Sequence, residues 1–326
     1  MSTSISDEHR AMTVPPPPFA PAKTAAPSRA LVLTAYATVY VVWGSTYLAI
    51  RYAVETIPPF VMTGTRFLLA GALLILWSKW RHGARATASN WRAATIAGTL
   101  LLAAGNGAVV WAEQRVPSGL TALLVSSVPL WMVLAEWLRP RGKRPTLGVV
   151  AGIAVGMAGI VLLIGPGSLG GERVDPAGAA ALVFASLSWA IGSLYSREAD
   201  LPSNPIFATG MEMFAGGAVL WLGALVAGEW YHLDLARATP ASISGFFYLV
   251  VFGSLIGFTA FAWLLRVSSP AKVSTYAFVN PVIAVLLGWA IAHEPVGPRT
   301  IAAAAVIVGA VALITLAKGR RAPARD

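Results

Sequence analysis

The chain has 326 residues, of which 56% are hydrophobic and 12% charged, with a mean hydropathy of +0.68 and a formal net charge of +10. A soluble domain is about 25% charged, so this composition is built for lipid and argues against an ordinary water-soluble enzyme. Cysteine is absent, which excludes disulfides, thiol catalysis and thiolate metal sites.

In chain order, residues 1–30 are polar and carry Pro15 to Pro18, so they read as a disordered cytoplasmic tail without a cleavable signal. Ten apolar stretches follow, near residues 31–51, 59–80, 91–113, 117–138, 145–164, 176–196, 205–227, 243–266, 271–291 and 299–317. Each is long enough to cross a hydrocarbon core of about 30 Å as a helix. Lipid offers the backbone no hydrogen-bond partner, so helices are expected throughout. The expected fold is therefore an all-α membrane protein of ten transmembrane helices, whose short loops leave no room for a soluble catalytic domain. Residues 318–326 read as a basic cytoplasmic tail.

A fixed-offset echo runs through these spans. Trp43, Leu48, Arg51, Pro59, Thr63, Gly64, Gly71 and Ala72 reappear 146 residues later as Trp189, Leu194, Arg197, Pro205, Thr209, Gly210, Gly217 and Ala218. Gly105, Trp111 and Pro129 reappear at an offset of 152 as Gly257, Trp263 and Pro281. The copies, residues 31–164 and 176–317, each hold five spans. Five is odd, so the second copy enters the membrane upside down relative to the first. Inverted repeats enclosing a shared central cavity are a signature of secondary transporters.

The basic charge is distributed by side. With a cytoplasmic amino terminus, 18 of the 24 Lys and Arg fall on the inner side, while the outer loops hold Arg51, Arg115, Arg173, Arg237 and Arg299. The positive-inside rule then puts both termini in the cytoplasm. The charge is a topology signal, and no nucleic-acid partner is expected.

The stretch "VVWGSTYLAIRYAVETIPPFVMTGTRFLLAG" resembles the opening of EamA-domain transporters of the drug/metabolite transporter superfamily, most closely the YedA-type inner-membrane subgroup. "AAGNGAVVWAEQRVPSG", "SLSWAIGSLYS", "GMEMFAGGAVL" and "SSPAKVSTYAFVNPVIAVLLG" resemble it as well, so the likeness covers about residues 31–317. It implies two inverted five-helix EamA repeats around a central cavity, in a bacterial inner membrane. Relatives of this kind export amino acids, nucleosides, drugs and other metabolites.

Arg66 and Glu212 are repeat partners, each seven residues past its proline and about 10 Å into its span. An ion near the bilayer centre costs at least about 2.5–3.5 kcal/mol, which makes both functional candidates. Arg66 is expected to attract a carboxylate or orient the outer gate, and Glu212 to meet a cationic group or carry a coupling proton. The alternative is that each locks helix packing through a polar neighbour. Glu113, a second coupling candidate, shares a helix face with Asn106, and Tyr276 shares one with Asn280. Glu136 is expected to pair with Arg139 and Arg141 at the inner boundary. His293 and Glu294, at the outer edge of the ninth span, read as structural.

Pro129 and Pro281 lie inside the fourth and ninth spans and clash with the carbonyls of Val125 and Ala277, which makes them candidate hinges. Trp43 and Trp189 occupy equivalent places in the first span of each repeat. Trp43 with Thr46 and Tyr47, and Trp189 with Ser193, offer mixed aromatic and hydroxyl faces suited to an amphipathic solute. Gly148, Gly152 and Gly156, with Ala305 and Gly309, are expected to form close helix-packing ridges.

No GxxxxGK[ST] segment exists, so ATP-driven transport by this chain alone is unsupported. No cofactor and no metal are expected. The expected partners are a small-molecule substrate, membrane lipid and, for coupling, protons. A non-coupled uniporter stays open. A membrane-embedded transferase, or a receptor or scaffold, would belong to another class, and neither has clustered His residues or large loops to build on.

Overall fold

A computed structural model describes residues 27–139, 144–164, 174–268, 273 and 275–319. Residues 1–26 and 320–326, which hold most of both expected tails, lie outside it, as does Arg141. Helices account for nearly all of what is described: α1 (Arg29–Ala53), α2 (Pro59–His82), α3 (Ala88–Ala112), α4 (Ser118–Leu138), α5 (Leu147–Ile164), α6 (Pro176–Glu198), α7 (Pro205–Val226), α8 (Pro240–Leu264), α9 (Tyr276–Ala292) and α10 (Pro298–Gly319).

Among the described residues, seven of these are long and apolar enough to cross a membrane. The other three, α5, α9 and α10, present shorter apolar stretches: Leu147–Leu162, Tyr276–Ala292 and Pro298–Leu313. The first helix starts at Arg29, inside the segment expected to be tail, because Ser28 caps it by accepting from Leu31 N–H.

The helix starts follow local chemistry. Pro59, Pro176, Pro205 and Pro240 occupy first positions, where a missing N–H costs nothing. Thr87 and Asn90 form a reciprocal capping box on α3, and Asp175, Asn204 and Thr239 cap α6, α7 and α8. Gly83 ends α2 with φ +59°, a left-handed geometry that suits a residue without Cβ. Glu229, in the turn after α7, reaches across to cap α2 by accepting from the N–H groups of Phe60 (2.9 Å) and Val61 (3.0 Å). Partial burial raises its carboxyl above the usual range, against the pull of those two donors.

Large apolar side chains such as Leu76, Trp80, Val226 and Leu313 point outward, which fits a surface meant for lipid. Inside, small residues let the helices close up. A Cβ on Gly71 would lie 2.5 Å from Phe214 N, and one on Gly217 would lie 2.8 Å from Leu68 N. Gly64 lies against Gly217 and Gly71 against Gly210, so α2 and α7 cross antiparallel. Exchanging each glycine for its repeat partner returns the same two contacts. Gly98 of α3 packs in the same way on the Glu212 and Gly216 backbone of α7.

The fifth and tenth helices also pair antiparallel, with Gly156 near Ala310 and Gly159 near Ile307. The expected ridges hold in part: Gly152 and Gly156 are buried, but Gly148 and Gly309 face no neighbour among the described residues and Ala305 is exposed. The buried face of α10 runs through Ala303, Ile307 and Ala310 instead, because a stripe that tracks a partner helix alternates steps of three and four.

Two departures from regular helix were not expected. Residues Thr99–Asn106 of α3 and Leu249–Ile256 of α8 are π-helical. In addition, α4 breaks at Ser126–Ser127, so Pro129 begins its second segment rather than kinking a continuous helix. Ser126 and Ser127 donate to the carbonyls of Leu123 and Leu124, both at 2.6 Å, which satisfies groups the break would strand. Its repeat partner Pro281 stays inside the continuous α9.

The glycine crossings yield a direct expectation. Gly71→Ala and Gly98→Ala should each destabilise the detergent-solubilised protein by about 1–3 kcal/mol through overpacking. Gly148→Ala and Gly309→Ala should leave its thermal unfolding midpoint unchanged, as read by size-exclusion chromatography after heating.

Candidate functional site

A π-helical turn shifts the hydrogen-bond register and leaves carbonyls available to other donors. In both copies such a carbonyl is taken by the first helix of the other half. Trp43 Nε1 on α1 donates to Gly253 O at 3.3 Å, and Ser188 Oγ on α6 donates to Leu100 O at 2.7 Å. The indole of Trp43 lies against Gly257, and that of Trp189 against Gly105. The four residues are two repeat pairs, so the same contact is made twice, each time between halves.

Around the α8 turn the structure brings several expected residues together. Arg66 is 3% exposed, and its Nε donates to Ser254 Oγ at 2.8 Å. Its Nη1 has no partner among the described residues, and its Cζ lies 4.8 Å from the Phe67 ring centroid. A Cβ on Gly253 would lie 3.1 Å from Arg66 Nη2 and 3.1 Å from Thr46 Cγ2, so only a glycine admits both side chains without displacement. Trp43 packs edge-on against Tyr276, with centroids 5.2 Å apart, and touches Phe258 and Phe261. Thr46 spends its own hydroxyl on Trp43 O. The Asn280 amide, with its nitrogen turned toward them, donates to Tyr276 O (3.2 Å) and Tyr40 O (3.3 Å), tying α9 to α1.

The equivalent region of the other half is built differently. Glu212 is half-buried and accepts from Ser196 Oγ at 2.6 Å, so it does not meet its repeat partner Arg66. Ser193 is half-buried on α6 beside Gly192, which packs on Leu100 and Leu101. Asn106 ends the α3 π-segment with a buried Oδ1 that has no partner among the described residues.

A third cluster joins the ends of α1, α3, α4 and α9. Glu294 forms an ion pair with Arg51 and accepts from Ser118 N–H (2.8 Å) and Gly119 N–H (3.0 Å), capping α4. Glu113 is buried within electrostatic reach of both, and Tyr47 within reach of Glu113 and Tyr276. At the opposite end, Glu136 pairs with Arg197 at 3.1 Å, and Arg139 with Glu198. This corrects the expected pairing of Glu136 with Arg139. Neighbours along a helix lose here to α6, which lies directly beside α4.

Arg51 and Arg197 are repeat partners, and each bonds a carboxylate of the other half at opposite ends of the molecule. The carboxylates come from different sequence positions. Glu136 corresponds to Gly288, and the Glu294 carboxylate lies where a Gly288 side chain would stand. In the sequence both arginines stand in the echo with no evident partner. The available signal was their survival as a charged pair among apolar repeats, together with a glycine opposite Glu136. The π-segments and the role of Gly253 have no comparable signal.

Comparison with known proteins agrees with this architecture. The sequence profile of the EamA-like transporter family matches residues 30–165 and again 176–316. The chain is 42% identical to the inner membrane transporter YedA of Escherichia coli (strain K12), over 86% of this chain and 89% of that protein. It is 30% identical to protein PecM of Dickeya dadantii (strain 3937), over 76% and 80%. A solved crystal structure, 23% identical, shares the fold with a TM-score of 0.61 and covers 90% of this chain and 99% of its own. The chain therefore belongs to the EamA-like transporter family of the drug/metabolite transporter superfamily and is a multi-pass membrane transporter.

Proposed function

We propose that the chain is a secondary transporter that exports small organic solutes across the bacterial inner membrane by alternating access. Residues 31–164 and 176–317 are the two inverted five-helix repeats, ten spans in all, and the solute path runs between them. Both termini are cytoplasmic. The observation that carries this reading is the pair of repeat-related arginines, Arg51 and Arg197, each latched to the other half at opposite ends. Two latches on two ends are what a carrier needs if it opens to one side at a time. The antiparallel crossing of α2 and α7 supports the inverted arrangement.

The latches are unequal. Glu294 is 5% exposed and holds Arg51 plus two backbone N–H groups, whereas Glu136 is 37% exposed and holds one arginine. With a cytoplasmic amino terminus, the firm latch closes the outer end. Glu113 beside it, and Glu212 toward the inner end, are the groups that carry a coupling proton. Pro129, at the α4 break, and Pro281 are the hinges. The solute meets Trp43, Thr46, Tyr47, Arg66, Tyr276 and Asn280 on one side of the path, and Asn106, Trp189 and Ser193 on the other.

Comparing the metabolites released by cells with and without the gene tests the function, and equal release of every compound would remove it. In proteoliposomes loaded with a released compound, Glu212→Gln should abolish acceleration by a pH gradient while downhill flux continues. Gradient-driven flux unchanged in that variant would clear Glu212 of coupling. Glu294→Ala should cost about 1–3 kcal/mol of thermal stability, because it strands helix N–H groups and an arginine. Glu136→Ala should cost less than about 1 kcal/mol, as for an exposed ion pair.

A further inference from the structure

We infer that Arg66, held by Ser254 in the cradle at Gly253, is the recognition point for the carboxylate of an organic acid. This inference rests on the transporter reading above and names the solute class. Arg51, Arg139, Arg197 and Arg237 all have a carboxylate within ion-pair distance. Arg66 is buried about a third of the way along α2 and has none among the described residues. Its repeat partner Glu212 is engaged with Ser196 on the other half and supplies no counter-charge.

A buried guanidinium without a counter-ion is costly, and a chain gains by keeping one where an anion comes and goes. The donors left over define which anion. Nε is spent on Ser254 Oγ, which fixes the plane of the guanidinium, and the Phe67 ring lies beside Cζ. The edge formed by Nη1 and Nη2 remains, with Nη1 unpartnered. Because Gly253 has no Cβ, Nη2 lies close against its backbone, where a methyl group would approach to 3.1 Å. Two parallel N–H donors on one edge match the two oxygens of a carboxylate. One cation balances one negative charge, so a dianionic phosphate is poorly matched. The Gly253 carbonyl is bonded by Trp43, whose indole opens onto Phe258, Phe261 and Tyr276. The rest of the acid is therefore apolar or aromatic near its carboxylate.

The test measures compounds released by cells producing wild-type protein, Arg66→Met, Arg66→Lys or Ser254→Ala, each checked for equal amount and monodispersity in detergent. Wild-type release should be enriched in carboxylic acids. Arg66→Met should lower their release by about ten-fold or more, as expected for loss of a charge-assisted bond. Any neutral solute carried should be spared. If Arg66→Met fails to fold, the other two variants decide. Arg66→Lys keeps the charge and loses the paired donors, and Ser254→Ala loses only the alignment, so both should reduce acid release several-fold. Release dominated by compounds without a carboxylate, or unchanged acid release in the folded variants, overturns the inference and leaves the exporter standing. No release by the wild type removes the exporter reading and this inference together.

Discussion

The antiparallel crossing of α2 and α7 is the contact on which the remaining structure depends. Gly64, Gly71, Gly210 and Gly217 bring two backbones together, and at Gly71 and Gly217 a single methyl group would collide with main-chain atoms. Lipid tails are as apolar as leucine, so helices in a membrane gain little by hiding hydrophobic surface from their surroundings. Close approach of small residues supplies dispersion contacts instead. Because repeat partners occupy both sides of the crossing, each half contributes equivalent glycines. Gly98 and Gly216 extend the contact to α3, which carries one of the π-helical turns.

Those turns then connect the halves in a second way. A regular helix consumes its own carbonyls and offers a neighbour only side chains. The register shift at Thr99–Asn106 and Leu249–Ile256 leaves main-chain acceptors inside the bundle, and Ser188 and Trp43 of the opposite halves take them. Buried carbonyls of this kind must be satisfied, so each first helix is bound to the other half's π-turn. Any rearrangement that separates the halves has to break or slide these bonds. Of the two arginine latches, only that of Arg197 with Glu136 lies near water, and it exchanges more readily than the buried Arg51–Glu294 pair.

Symmetry is broken where chemistry is needed. Arg66 and Glu212 are equivalent in the repeat, yet one is a buried cation held by a hydroxyl and the other a half-buried carboxylate holding a hydroxyl. On the solute path proposed above, two cations would repel any cationic group and trap an anion between them, whereas one residue of each sign lets the two sides differ while the scaffold stays duplicated.

Much of this was legible in the sequence. The helix starts follow from prolines and capping residues, whose effects reach only a turn of backbone. The repeat follows from identical spacing, and Arg66 and Glu212 stand out because charge is rare in apolar spans. The small-residue ridge expected on α10 was misassigned, while that on α5 holds at Gly152 and Gly156, since a one-dimensional pattern does not say which of several small faces meets a partner. Pairing of Glu136 with Arg197 rather than Arg139, and of Arg51 with Glu294 rather than a neighbour in its own half, depends on which helices lie side by side. The lipid-bound class, the duplication and the positions of the rare charges can be read from residue order alone, because these are sums over local composition and spacing. The π-turns, the glycine cradle at Gly253 and the partner of each ion emerge with the folded chain, because those are set by contacts between residues far apart along it.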